Sequence, residues 1–150
     1  MASPFTIQMI RRRAVVAGFA AIAFAGVRCG ARAQQPERVR RVGVLVALPE
    51  NNRSAQASVA AFSRALRQLG WVEGENIRID YRFAADPTLL KRYAAELIAN
   101  APEAIMASTT PAAATLRERT RTIPIIFVNV LDPVGQGFVQ SLARPGGNIT

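Results

Sequence analysis

The chain has 150 residues, of which 50% are hydrophobic and 19% are charged, so one domain with a packed core is expected. Histidine is absent and there is one cysteine. This composition excludes histidine-based zinc sites, Ser-His-Asp and Cys-His catalysis, internal disulfides and thiolate metal clusters. The net charge of +9 indicates a nucleic-acid partner only if the basic residues cluster, so their distribution decides this point.

The first 33 residues have the pattern of an export signal. Three arginines at 11–13 precede an uncharged apolar run at 14–27, which is too short to span a bilayer. Small residues then predict cleavage after Ala33, with export by the Sec or the twin-arginine route, and an uncleaved anchor is the alternative. The charged residue before Cys29 disfavours lipid attachment, so this cysteine is expected to be removed with the signal.

The remaining residues, 34–150, are predicted to form one domain outside the cytoplasm. They contain 14 basic and 10 acidic residues, because five of the 19 basic residues and none of the acidic ones belong to the signal. The resulting charge of +4 is dispersed rather than gathered in a stripe with aromatic residues. We therefore expect no nucleic-acid partner.

The first half of this domain predicts a strand, a helix and a second strand. Residues 41–47 are an apolar, β-branched run typical of a strand buried on both faces of a parallel sheet. A helix is predicted from an N-cap at Ser54 to about Leu69, followed by Gly70. Residues 77–83 alternate apolar and polar side chains, which indicates a strand at or near a sheet edge. The buried stripe of the helix is predicted to be Val59, Phe62, Leu66 and Leu69.

The second half continues the alternation. Asp86 and Pro87 predict the start of a second helix that runs to Asn100. Its buried stripe is predicted to be Leu90, Tyr93, Ala94, Leu97 and Ile98. The remaining elements are predicted as a strand at 103–107, a helix from the segment 108–111 to about Arg121, a strand at 123–130, a turn at 131–137, a short helix toward Leu142 and a turn at 144–148.

This order of elements predicts an α/β fold with a doubly wound parallel sheet, because right-handed crossovers place helices on both faces. Ligands of such sheets bind beyond the carboxyl ends of the strands. Three segments qualify here, 48–53, 108–111 and 129–134. The first of them lacks G-x-G-x-x-G, and the chain has no Walker A sequence, so no nucleotide cofactor is predicted.

Polar residues of these segments are candidates for ligand contact. Hydroxyl groups and free backbone N–H groups at the helix start that contains Ser108, Thr109 and Thr110 favour a carboxylate or phosphate, although Thr110 alone can simply cap its helix. Asp132 either pairs with a ligand ammonium or caps the next turn, and Asn129 has the same ambiguity. No pair of carboxylates is spaced for acid–base chemistry, so the chain is not predicted to be an enzyme.

Three stretches resemble the ABC-transporter substrate-binding protein family, in its tryptophan/tyrosine-type branch. They are ARAQQPERVRRVGVL, F-x-x-x-L-R-x-L-G-W-V-E-G-E-N-I-x-I-x-Y-R and TIPIIFVNVLDPVGQGFVQSLARPGGNIT. The resemblance covers about residues 34–150. It implies a lobe of the type I periplasmic-binding-protein kind, which closes with a second lobe over a small molecule such as an amino acid or aromatic compound.

The resemblance also implies site residues and partners. Ser108, Thr109 and Thr110 would meet the ligand carboxylate, Leu48 and Pro49 would border the pocket, and Asn129 or Asp132 would lie near the amine. Binding is implied without a cofactor and without catalysis. The partners would be a small-molecule ligand and, at the membrane, an ABC permease with its ATPase.

Family members are about twice as long as the predicted mature region, so the second lobe is expected to be missing and the chain to be an N-terminal lobe only. The alternatives are a non-functional truncated gene product or a flavodoxin-like enzyme. The enzyme reading is disfavoured by the missing glycine loop after the first strand.

Overall fold

The computed structural model describes residues 38–150, so the predicted export signal at 1–33 lies outside the described residues. Strands and helices alternate along the chain. They are β1 (Arg40–Val46), α1 (Arg53–Gln68), β2 (Ile77–Phe83), α2 (Pro87–Ala99), β3 (Ala104–Ser108), α3 (Thr110–Arg119) and β4 (Ile125–Val128).

The four strands form one parallel sheet in the order β2-β1-β3-β4. Near the end of the described chain, Ile149 forms a parallel bridge with Ile125 on the outer side of β4. The predicted parallel α/β fold is therefore confirmed. The edge position predicted for the second strand is also observed, because β2 pairs with β1 alone among the described strands.

Apolar side chains are buried on both faces of the sheet. Val44 and Val46 of β1 belong to the cluster that α1 covers, whereas Leu45 belongs to the cluster under α2 and α3. All three side chains are almost completely buried. Successive residues of a strand point to opposite faces, so a continuous apolar run is what a sheet covered on both sides requires.

Two helix starts show how local sequence sets the element boundaries. Asp86 caps α2, since its Oδ1 accepts a hydrogen bond from the backbone N–H of Leu89 at 2.8 Å. The N-cap of α1 is Asn52 and not Ser54, because Asn52 Oδ1 accepts from the N–H groups of Ser54 and Ala55. Both residue types are good caps, and here the amide oxygen is the one that reaches the free N–H groups.

The predicted stripes of the helices are largely buried, with one exception. Val59, Phe62 and Leu66 pack against the sheet, and so do all five predicted residues of α2. Leu69 was expected in the core and is 74% exposed, because the helix ends at Gln68 and Gly70 turns the chain with φ +84°. The apolar pattern therefore extended one residue past the helix.

The C-terminal part of the described chain differs from the prediction. β4 is shorter than expected, α3 ends at Arg119, and the short helix predicted toward Leu142 is absent from the described chain. Residues 131–139 instead form tight turns, in which Gly137 N–H donates to the carbonyl of Val134 and Gly137 has φ +66°. A left-handed residue at this position stops a helix after one turn.

The edge strand β2 carries charged side chains on its partly solvated face. Asp80 lies 3.6 Å from Arg41 and 3.5 Å from Arg78, and Arg82 lies 3.2 Å from Glu96 of α2. The polar residues of the predicted alternation, Arg78, Asp80 and Arg82, thus form a row of ion pairs along β2. No helix among residues 38–150 combines the length and apolar character that a membrane span needs.

Candidate functional site

The carboxyl ends of the four strands lie in one row. Val46 pairs in register with Phe83 on one side and with Ser108 on the other, and Ser108 pairs with Val128. The segments that follow these strands therefore emerge along the same edge of the sheet. Neighbouring β1 and β3 lead to helices on opposite faces, which is the topological position where parallel sheets bind ligands.

The loop after β1 contributes one packed residue and one exposed residue. Leu48 is half-buried and packs against the cluster under α1. Pro49 is exposed, and its carbonyl oxygen accepts a hydrogen bond from the N–H of Asn52 at 3.0 Å. Leu48 thus belongs mainly to the core, whereas Pro49 presents an apolar ring at the rim of the edge.

The segment after β3 contains the most unusual backbone of the described chain. Ser108 is buried, and its carbonyl accepts from the N–H of Ala47 at 3.3 Å, which ties the loops of β1 and β3 together. Thr109 follows with φ +86° and ψ 157°. This is a region that β-branched residues almost never occupy. The N–H of Thr109 is held by the carbonyl of Val128 at 2.9 Å.

The hydroxyl groups of the two threonines have different surroundings. Thr109 Oγ1 is buried and has no hydrogen-bond partner in the described chain, although Thr109 occupies the N-cap position of α3. Thr110 is the first residue of the helix, and its Oγ1 accepts from the N–H of Leu131 at 3.3 Å. Thr110 therefore does not cap its own helix. It fastens the loop after β4 to the start of α3.

The first turn of α3 presents free backbone donors. The first intrahelical bond runs from the N–H of Ala113 to the carbonyl of Thr109. The N–H groups of Thr110 and Ala112 have no acceptor among the described residues, and Pro111 has no N–H to satisfy. Free N–H groups and the positive end of the helix dipole together favour an anion at this position.

The loop after β4 holds the other two predicted residues. Asn129 has φ +54° and is exposed. Asp132 has φ +44°, and its Oδ1 accepts from the N–H of Gly135 at 2.9 Å, so the carboxylate caps the turn that follows it. The turn-capping alternative is thus observed for Asp132. The side chain is nevertheless exposed, and its charge faces solvent.

Unusual backbone conformations concentrate at this edge. Of the four non-glycine residues of the described chain that have positive φ, Thr109, Asn129 and Asp132 follow β3 or β4, and only Ala101 lies elsewhere. Such conformations cluster at functional sites because the surrounding structure must hold them there. No sequence signal indicated the strain at Thr109, and the free N–H of Ala112 was not foreseen as a separate donor.

This arrangement can bind a small polar molecule. Its polar groups are free backbone N–H donors, the amide of Asn129 and the exposed carboxylates of Glu50 and Asp132. Among residues 38–150, no group of three potential metal ligands lies together. The parallel sheet with its polar open edge defines a lobe of the periplasmic-binding-protein type.

The comparison with protein families gives the more specific assignment. Residues 41–150 match the model of the family described as ABC transporter substrate binding protein. The chain therefore belongs to this family, as the sequence resemblance predicted. A tyrosine-binding protein from Clostridioides difficile is 38% identical over 90 residues, which are 59% of this chain and 26% of that protein.

Solved structures agree in fold. A conserved domain protein from Vibrio cholerae matches with a TM-score of 0.71 and 31% identity over 75% of this chain. A ligand-free, open substrate binding protein with adhesive properties from Clostridium difficile matches with a TM-score of 0.68 and 32% identity over 75% of this chain. An ABC domain from Streptococcus pneumonia in complex with L-Trp matches with a TM-score of 0.69 and 27% identity over 74% of this chain. The match spans 26% of the curated relative and 37–38% of the solved chains.

Proposed function

We propose that this chain provides one lobe of the binding site for an aromatic amino acid, in the extracytoplasmic solute-binding component of an ABC import system. The observation that carries the proposal is the start of α3, where a strained Thr109 leaves two backbone N–H groups free at the carboxyl edge of the sheet. Family membership supports a binding role. The relatives that bind tyrosine or L-Trp support the ligand class.

The ligand carboxylate would sit at the first turn of α3. The N–H groups of Thr110 and Ala112 would donate to its oxygens, and the helix dipole would add a favourable interaction with its charge. Hydrogen bonds to a charged acceptor are about twice as strong as neutral ones. Thr110 Oγ1 is already engaged with the N–H of Leu131, so the backbone, rather than this hydroxyl, is the proposed donor.

The ligand ammonium would face the loop after β4. Asp132 is exposed there and has one carboxylate oxygen engaged with the N–H of Gly135. Asn129, next to the end of β4, would add a neutral polar contact, and Pro49 with the partly buried Leu48 would border the side chain of the ligand. Closure by a second lobe would complete the site and report occupancy to a permease and its ATPase.

Export places this site outside the cytoplasm. We propose that residues 1–33 are a cleaved signal and that residues 34–150 form the N-terminal lobe in the periplasm. N-terminal sequencing of the protein from a periplasmic extract is expected to begin at Gln34. An unprocessed N-terminus in the cytoplasmic fraction would contradict this placement without bearing on ligand binding.

The ligand proposal is tested by NMR titration of the isotope-labelled protein with L-tryptophan and L-tyrosine. We expect saturable shifts of the amide signals of Thr110 and Ala112, because a carboxylate acceptor deshields the N–H that donates to it. Tryptamine lacks the carboxylate and should leave these two signals in place. Shifts of equal size with tryptamine would contradict the proposed orientation.

A matched pair of variants isolates the backbone donor. Thr110→Pro and Thr110→Ala both remove the hydroxyl, but only the proline removes the N–H, and the extended ψ of Thr109 is compatible with a following proline. We expect affinity for L-tryptophan to be about tenfold lower in Thr110→Pro than in Thr110→Ala. Equal affinities would refute the role of this amide.

A further inference from the structure

A second candidate site lies at the other end of α3. A cavity of about 400 Å³ is lined by Arg117, Arg121, Val134 and the segments 137–140 and 145–149, and it includes none of the residues proposed to contact the amino-acid ligand. Arg117 is seven residues beyond Thr110, which places it roughly 10 Å along the axis of α3 from the proposed carboxylate position, and Arg121 follows the end of that helix. The two sites are therefore separate.

The cavity is lined by cationic groups without an opposing acid. No aspartate or glutamate lines it, and neither Arg117 nor Arg121 forms a salt bridge with any residue of the described chain. Arg117 is nevertheless held in place. Its Nη1 donates to the carbonyl of Gln136 at 3.4 Å, and its guanidinium lies 5.5 Å from the ring centroid of Phe138. A positioned guanidinium loses less entropy when it binds an anion.

Backbone donors and apolar side chains complete the lining. The N–H groups of Gly146 and Gly147 have no acceptor among the described residues, and neither residue has a side chain to shield them. Val134, which is 44% exposed, and Pro145 line the same cavity, and Phe138, Val139 and Ile149 are buried beneath it. The surface thus combines hydrogen-bond donors with an apolar wall.

We propose that this cavity binds a small organic anion whose carboxylate lies between Arg117 and Arg121 and whose apolar part contacts the lining residues Val134 and Pro145. Two guanidinium groups match the planar, bidentate geometry of a carboxylate. The volume falls in the range of small-molecule pockets. The apolar lining favours an organic anion over an inorganic one, because a hydrated ion gains nothing from contact with apolar side chains.

The test uses sodium benzoate as the probe and sodium acetate as the anion without a ring, with NMR detection on the full chain. Benzoate is expected to shift the amide signals of Gly146 and Gly147 saturably and to bind several-fold more tightly than acetate. Arg121→Gln should weaken benzoate binding about tenfold. Arg119→Gln is the matched control, since Arg119 is exposed two residues before Arg121, carries the same charge and does not line the cavity.

Three outcomes would overturn the proposal. The first is the absence of saturable shifts at Gly146 and Gly147. The second is an equal loss of affinity in Arg121→Gln and Arg119→Gln, which would indicate a general effect of charge. The third is equal binding of benzoate and acetate, which would point to an acidic side chain of a partner protein instead. Benzoate shifts confined to Thr110 and Ala112 would report the strand-end site alone and would leave the proposed function standing.

Discussion

Replacement of Thr109 by glycine is expected to stabilise the lobe. The backbone of Thr109, with φ +86° and ψ 157°, lies in a region that only glycine occupies readily, and its hydroxyl is buried without a partner. Such strain costs on the order of 1–3 kcal/mol. An unsatisfied buried hydroxyl costs about 1–3 kcal/mol more. Glycine lowers the free energy of unfolding by roughly 0.5–1 kcal/mol, because it increases the conformational freedom of the unfolded chain.

The expected net gain for Thr109→Gly is therefore at least about 1 kcal/mol in the free energy of unfolding. In urea denaturation this should raise the midpoint while leaving the slope unchanged. A parallel thermal melt should rise by about 4 °C for each kcal/mol gained. Thr109→Val is the control, because it deletes the hydroxyl but retains a β-branched residue in the strained conformation.

The comparison of the two variants separates the two sources of cost. If the backbone stores strain, Thr109→Gly must be more stable than Thr109→Val. Equal stability of the two variants would assign the whole effect to the hydroxyl. A Thr109→Gly protein less stable than the parent would refute the argument from strain altogether.

Three further changes test other parts of the lobe. Asp86→Ala should lower the free energy of unfolding by about 1 kcal/mol through loss of the α2 cap, whereas Asp86→Asn should lose much less in the same urea assay. Burial raises the pKa of Tyr81 above its usual value, and this effect outweighs the lowering effect of the hydrogen bond with Ser63. The stability that this shift contributes is present below the pKa of Tyr81 in the unfolded chain and is lost as the pH rises through its pKa in the folded chain. Urea melts compared at neutral pH and above about pH 10 should therefore show a smaller alkaline loss for Tyr81→Phe than for the parent protein. Gly146→Ala should destabilise the lobe by about 1–2 kcal/mol, because an alanine at φ +79° is strained and its Cβ would lie 2.8 Å from the side chain of Gln140. Gly147→Ala is the control: its Cβ would have no neighbouring side chain within 4 Å, so its melting temperature should be close to that of the parent protein.

The features that could be predicted from the sequence are those set by neighbouring residues. The apolar run at β1 specified a strand buried on both faces, and Asp86 before Pro87 specified the start of α2. In both cases the determining atoms lie within a few residues of each other. The choice of Asn52 over Ser54 as the cap of α1 was beyond reach, because two suitable caps compete within three residues.

The site depends on contacts that are distant in sequence. Thr109 is held in its unusual conformation partly by a hydrogen bond from its N–H to Val128, nineteen residues later, and the hydroxyl of Thr110 is directed to Leu131 rather than to its own helix. Threonine before proline indicates a helix start, and it gives no information about the sign of φ. The short helix predicted toward Leu142 does not form for a different reason, because Gly137 with its positive φ ends the turn that its neighbours would continue.

The row of ion pairs along β2 has a consequence for self-association. An outer strand with free peptide groups is a template on which another chain can extend the sheet and begin a fibre. Charged side chains such as Arg78 would have to be brought against those of an incoming strand and stripped of water, which disfavours that growth. The same ion pairs that fix β2 against its neighbours thus help to keep copies of the protein apart.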